Sequence, residues 1–344
     1  MRRKRNIVVL LLGLLVFFIS GITTQAASTK TIVDNTGAPV KIPKKVNKIA
    51  DLWHANNPIL LMLGGEDKLV ATTKLTHDNA LLTQLYPKVK KQAVPFNGED
   101  FQIEELVKQK PDVVISSDTS QISELKKNNI PAVNSMFQDF GGLKKTVTLT
   151  AKVVGTKDAK KKAKKYNKKL NSDIKQVKKR VRKDKSKPSV LHIVNTSDLS
   201  KVDGKDTIVD EWLKIAGGKN AIKTKGNMIN VSAEEIIKAN PDVIIIGGTT
   251  NKKALKLLKK DDRFKSLKAV KDKKVYGNPT GIFMLDRYSA EEDLQIWWAG
   301  KILHPKQMKD VNLNHKFKSF YKEFFDYEFS NKKIKQIING EVIK

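Results

Sequence analysis

Cysteine is absent from the 344 residues. That excludes disulfides, thiolate nucleophiles, Cys-ligated zinc, iron–sulfur clusters and lipidation on Cys. The chain also lacks a Gly-x-Ser-x-Gly elbow, a His-Glu-x-x-His helix and a phosphate-binding Gly-x-x-x-x-Gly-Lys-Ser/Thr loop. Its 5 His are scattered without a ligand spacing, so an enzyme is not expected. Arginine is scarce: Arg2, Arg3, Arg5, Arg180, Arg182, Arg263 and Arg287 are the only ones among 66 basic residues. Acidic residues number 36, which leaves a net charge of +30. With 40% hydrophobic residues, wholesale disorder is excluded. The length suits two domains once a targeting segment is removed.

The charge is uneven. Residues 157–187 hold 16 basic and 3 acidic residues, and Arg2-Arg3-Lys4-Arg5 adds four more cations. No nucleic-acid recognition motif accompanies them, so nucleic acid is not expected as a partner, and weak attraction to an anionic cell surface is the simpler reading. Ile7 to Ile22 follow the basic start without a charge, and Thr24-Gln25-Ala26 supplies small residues at a cleavage site. This pattern is that of a secretory signal peptide; a retained anchor is the alternative, and either one exports the rest. The mature chain is expected outside the cytoplasm, membrane-associated or secreted and not lipidated on Cys.

Internal similarity comes next. Residues 104–115 read EELVKQKPDVVI and residues 234–245 read EEIIKANPDVII, with seven of twelve positions identical at an offset of 130. Each phrase describes an amphipathic helix stopped by Pro111 or Pro241, then a β-branched run entering a buried parallel strand. Further strand-like runs surround both copies: Lys48–Ala50, Lys68–Ala71, Ile130–Val133, Ser189–Val194 and Lys274–Tyr276. The expectation is an α/β fold of two similar lobes, each a mainly parallel sheet flanked by helices. Residues 31–43 read as an opening hairpin around Asp34-Asn35-Thr36-Gly37.

One long helix joins the lobes. Thr156 can cap it, and Ala163, Tyr166, Leu170, Ile174, Val177 and Val181 recur at helical spacing as an apolar stripe on a lysine-covered rod. From Asp158 to Lys183 it would span roughly 39 Å. The organisation expected is residues 1–27 as signal or anchor, 28–155 as N-terminal lobe, 156–187 as linking helix, and 188–344 as C-terminal lobe with a helical tail. Phe317, Phe320, Tyr321, Phe324 and Phe325 in that tail read as a packing face.

These features resemble the solute-binding proteins of ABC importers for iron complexes and cobalamin, the class with a single-helix hinge. The residues that carry the likeness are Asp34–Gly37 with Val40–Pro43, Leu63–Val70, Glu104–Asp112, Ala216–Asn220, Ser232–Asp242, Leu267–Lys271 before Val275-Tyr276, and Trp298–Pro305. It covers about residues 31 to 328. The resemblance implies capture of a small metal complex between the lobes and delivery to a permease dimer whose ATPase subunits supply the energy. It also implies docking through one acid per lobe, Glu104 and Glu234 by motif. Both fall in a helix's first turn, where carboxylates are favoured, and the neutral alternative is that they are only helix-start residues. A monomer without a resident cofactor is expected.

In α/β lobes, ligands lie outside the carboxyl ends of the parallel strands. The loop Asp51–Asn57 offers Trp53, His54 and Asn56 there, and the loop Gly281–Tyr288 offers Met284, Arg287 and Tyr288. Thr73 and Phe96 are lesser candidates. Arg287 suits bidentate recognition of an oxyanion, and Tyr288 adds a donor and an aromatic face. Each has a plainer reading: Trp53, Phe283 and Met284 as core, His54 as a loop residue, Arg287 paired with Asp286 or Glu291. The preferred cargo is an iron chelate, a ferric siderophore first. Haem (with His54 and Met284 or Tyr288 as axial ligands), cobalamin and an oxyanion such as molybdate remain open. A basic cell-surface adhesin is the alternative of another class.

Overall fold

The structure is a computed structural model that describes residues 28–341 and 343. The expected export signal or anchor, residues 1–27, lies outside the described residues. The opening hairpin pairs Thr29–Val33 with Pro39–Pro43, antiparallel, Ile32 facing Val40. The Asp34 carboxylate organises its turn by accepting from the Thr36 amide (2.9 Å), the Thr36 hydroxyl (2.6 Å) and the Ala38 amide (3.1 Å).

The first lobe is built on four parallel strands in the order Leu69–Ala71, Ile49–Asp51, Val113–Ser116, Ala132–Asn134. The second has a six-stranded mixed sheet. Its parallel centre is Ser189–Ile193, Val243–Ile246 and Val275–Gly277, and Lys201–Val202 and Ile229–Asn230 extend it antiparallel. Lys219–Asn220 lies parallel beside the start of Ser189–Ile193. The fold class is thus the α/β arrangement that the alternating pattern implies.

The repeated phrase has one structural meaning in both lobes. The residue before each proline, Lys110 or Asn240, turns into the left-handed region (φ 51° and 36°) and ends its helix. The aspartate after the proline then accepts backbone amides at the entry of the neighbouring strand. Asp112 takes those of Asn47 (2.6 Å) and Lys48 (3.0 Å), and Asp242 takes that of Ser189 (2.9 Å). So Pro-Asp stops a helix and aligns two parallel strands in the same three residues.

Each sheet has one face in a core of its own and one in a core common to both lobes. Val113 and Ile115 point into the common core and Val114 into the outer one; Val243 and Ile245 do the same against Ile244 and Ile246. The linking helix, Lys157–Val181, belongs to that common core. The Thr156 hydroxyl caps it, accepting from the Ala159 amide at 3.0 Å. Ala163, Tyr166, Leu170, Val177 and Val181 are buried and Ile174 half-buried, whereas most of its lysines are exposed. It packs on helices Phe140–Val154 of the first lobe and Glu292–Leu303 and Ile208–Ile215 of the second. The tail helix Leu313–Phe325 buries its five aromatic residues and reaches back to helix Asn57–Met62 of the first lobe.

Buried Tyr166 donates to the Ala290 carbonyl at 2.8 Å, which ties the strut to the segment that forms the second lobe's wall. Tyr166→Phe should lower stability by about 1–2 kcal/mol, because that buried carbonyl is left with only the longer bond from the Asp293 amide, 3.4 Å. Urea unfolding measures it; an unchanged midpoint would mean that water replaces the phenol.

Candidate functional site

The loops at the carboxyl ends of both sheets meet across the lobe boundary. Strand Ile49–Asp51 leads into Trp53, strand Ala132–Asn134 into Phe137 and Gln138, and strand Val275–Gly277 into the segment 278–291. Trp53, Phe137 and Tyr288 form an aromatic triad with ring separations of 5.6, 5.9 and 5.4 Å. The Tyr288 hydroxyl donates to the Gln138 side-chain oxygen at 3.0 Å. His54 lies against Phe283 at 5.6 Å, and the Asn79 amide donates to the Ile282 carbonyl at 2.7 Å. Each of these pairs except Trp53–Phe137 joins one lobe to the other.

Of the residues that the sequence nominates, Trp53, His54 and Tyr288 come to this seam, with Met284 half-buried in the same segment; Trp53, Phe283 and Tyr288 are buried in the common core, as the plainer reading of the first two has it. Burial lowers the pKa of His54, so its ring is neutral at neutral pH. Burial pushes the Tyr288 phenol up to about 12, so it remains a donor. Its backbone is left-handed (φ 51°), a conformation that costs a non-glycine residue about 1–2 kcal/mol.

Three nominees are placed differently. Asn56 faces the interior: it is fully buried, donates to the Asp51 carboxylate at 2.8 Å and accepts from the Thr150 hydroxyl at 3.1 Å. It shapes the loop from behind instead of touching a ligand. Thr73 caps the short helix Lys74–His77 through the Thr76 amide. Phe96 packs on Phe101 at 5.7 Å across a small hairpin.

Arg287 departs furthest from expectation. Its fork does not stand open for an oxyanion and does not pair with Glu291. Its Nη1 and Nη2 donate to Asp203 at 3.0 and 2.6 Å, and Nη1 also to Asn227 at 2.9 Å. Asp203 in turn accepts from His192 Nδ1 at 2.7 Å, while His192 Nε2 lies 2.8 Å from Asp286, itself 3.8 Å from Arg287 Nε. Two acids and two bases therefore close a buried ring. Burial works against the charged form of His192, yet the carboxylates on both its nitrogens prevail and raise its pKa. Burial works likewise against the Asp203 carboxylate, but His192 and Arg287 hold it well below the usual range. With His192 protonated, the ring's four charges cancel.

The wall itself is hung on buried acids that sequence reasoning passed over. Glu291 accepts the amides of Ile282 (2.9 Å) and Phe283 (2.7 Å) and the Tyr321 hydroxyl (2.5 Å). Gly281 makes this possible: a methyl group there would fall 2.1 Å from both the Glu291 and Tyr321 oxygens. Glu292 accepts the Tyr288 amide at 3.0 Å, which holds the left-handed residue in place.

Glu104 and Glu234 lie away from the seam. Both are exposed in the first turns of helices Ile103–Lys108 and Ala233–Ala239, and neither enters an ion pair among the described residues.

Two α/β lobes stand on one helical strut, with an aromatic seam at their strand ends, the architecture of a solute-binding protein. The chain belongs to the periplasmic binding protein family, whose model matches residues 49–280. These are the extracytoplasmic solute-binding components of ABC importers. The ABC transporter substrate-binding lipoprotein YvrC of Bacillus subtilis is 30% identical over 253 residues, 72% of this chain and 77% of that protein. The molybdate-binding protein MolA of Haemophilus influenzae is 25% identical over 342 residues, covering 91% of this chain and 95% of that protein. Among solved structures, a periplasmic solute-binding protein of Veillonella parvula superposes with a TM-score of 0.76 at 28% identity, covering 91% of this chain and 97% of that one. No helix among the described residues is long and apolar enough to cross a membrane.

Proposed function

We propose that this binding protein captures an iron chelate, a ferric siderophore foremost, in the seam between its lobes and delivers it to a permease dimer energised by ATPase subunits. The observation that carries the choice is the wall of Trp53, Phe137, Phe283 and Tyr288 beside a charge-balanced arginine. Aromatic faces suit the organic body of a chelate. A cation already cancelled by Asp203 favours a chelate of low net charge over a bulky tri-anionic catecholate. Should the cargo be haem instead, the neutral His54 at the seam is the axial nitrogen on offer. Glu104 and Glu234 serve as the docking acids, and the lysine face of the strut adds weak attraction to an anionic cell surface. With no Cys for a lipid, the N-terminal apolar segment is the means of retention if it stays uncleaved.

A small oxyanion is the second reading, supported by the near full-length match to the Haemophilus molybdate-binding protein. It requires Arg287 to turn from Asp203.

Thermal unfolding distinguishes the two. At a hundredfold excess over Kd, a ligand adds about 2.7 kcal/mol of stability, which corresponds to a rise of roughly 4 °C for a chain of this size. That rise is expected with a ferric hydroxamate and not with ferric ion alone. A rise with molybdate alone establishes the second reading, and one with haem or cobalamin alone replaces the cargo. No rise with any of them refutes capture of these solutes.

A further inference from the structure

Five large apolar side chains are markedly exposed among the described residues, and two of them occupy one position of the repeat: Val107 at 46% and Ile237 at 45%. They stand 130 residues apart, each three residues after Glu104 or Glu234. Residues three apart share a helix face, so each lobe shows solvent a carboxylate and, one turn on, an aliphatic side chain. The fold does not call for either. Leu106 and Ile236, beside them in sequence, already anchor these helices and are essentially inaccessible. The neighbouring acids are engaged locally, Glu105 with Lys108 and Glu235 with the Thr224 hydroxyl at 3.4 Å. Glu104 and Glu234 form no ion pair among the described residues, in a chain carrying +30.

We propose that Val107 and Ile237 are the apolar halves of a two-point docking surface. Each point is a carboxylate with an aliphatic contact one turn away. The occupant is a permease dimer whose two subunits each offer a cation beside an apolar socket. Two chemically equal points on two equivalent lobes fit a partner with two equal surfaces, and exposed carboxylates on a strongly basic protein fit a cationic one. The surrounding lysines repel that partner elsewhere and leave these two points to set the orientation. A second copy of this chain is the less suitable occupant, because self-pairing of equal points sets acid against acid. The inference rests on the importer reading and adds to it the contact that gives the docked complex its lifetime.

The test measures binding of the full chain to its permease–ATPase complex in nanodiscs, for the wild type, Val107→Ser/Ile237→Ser and Glu104→Gln/Glu234→Gln. Urea midpoints show that each variant folds. The serine pair should weaken docking at least tenfold and leave its salt dependence unaltered, whereas the glutamine pair should weaken docking and flatten that dependence. Wild-type docking by the serine pair, with the glutamine pair impaired, overturns this inference and leaves the docking acids standing. Wild-type docking by both pairs overturns the docking reading along with it. If the serine pair instead abolishes a dimer seen by ultracentrifugation while docking persists, the surface joins copies of this chain and the proposal fails.

Discussion

Asp203→Ala should cost the folded protein about 3–5 kcal/mol, because it leaves Arg287 and His192 buried without their common counter-charge. The loss exceeds that of the hydrogen bonds alone: two cations would then share one remaining acid, Asp286. Stability from His192 is full below its unfolded value of 6.5 and is lost as pH climbs through its raised folded value. Asp203→Asn separates charge from shape. It keeps the size of the side chain and some of its hydrogen bonding but makes the ring net positive. That variant should bind molybdate, used as a probe anion, at least tenfold more tightly than the wild type, and the gain should shrink with salt. Calorimetry reads the affinity and urea unfolding the stability. If the asparagine variant is indifferent to anions, the ring does not set the charge preference of the seam.

The second large effect concerns pH. Burial raises the Glu291 carboxyl to about 7 from 4.5, restrained from going higher by its bonds from Tyr321, Phe283 and Ile282. Above pH 4.5 the unfolded chain has released this proton while the folded chain keeps it. The folded state therefore binds more protons, and stability falls as pH rises from 4.5 to 7, then levels off. The decline from this group is on the order of 3 kcal/mol. Asp51, raised by burial to about 8, acts in the same direction. Glu291→Gln cannot titrate. It should be less stable than the wild type at pH 5 by about 1–3 kcal/mol, since its amide sets a donor against a donor. It should also lose less stability between pH 5 and pH 7.5. Chemical unfolding at those two pH values checks this; equal declines in both proteins would show that the acid holding the seam wall is ionised throughout.

Much of the framework is legible because its determinants are local. Thr156 and the six-residue apolar stripe outline the strut, expected from Asp158 to Lys183 within a linking segment 156–187 and found as the helix Lys157–Val181. The repeated Pro-Asp phrase locates equivalent helix–strand joints in both lobes. The seam is legible only in part. Trp53, His54 and Tyr288 are found by the rule that ligands lie at strand ends. Phe137 and Gln138 also follow a strand-like run, Ile130–Val133, but carry no charge or metal-binding group that singles them out, and Asn79 lies a short helix beyond its strand. Arg287 misleads for a related reason: its partner is 84 residues away, brought beside it by the order of strands in the sheet. Glu291, Glu292 and Asp293 show the limit of local rules. By sequence they open a helix just as Glu104 and Glu234 do, yet all three are fully buried, two under the wall of the seam and the third 3.0 Å from Lys169 of the strut.

The interior shared by both lobes and the strut binds them as one packed body, so a wide swing of one lobe against the other would have to open that core. If the proposed cargo lies in the seam, the small shift open to it is that of short loops and rings, and an importer that takes the cargo would have to supply the force that parts them.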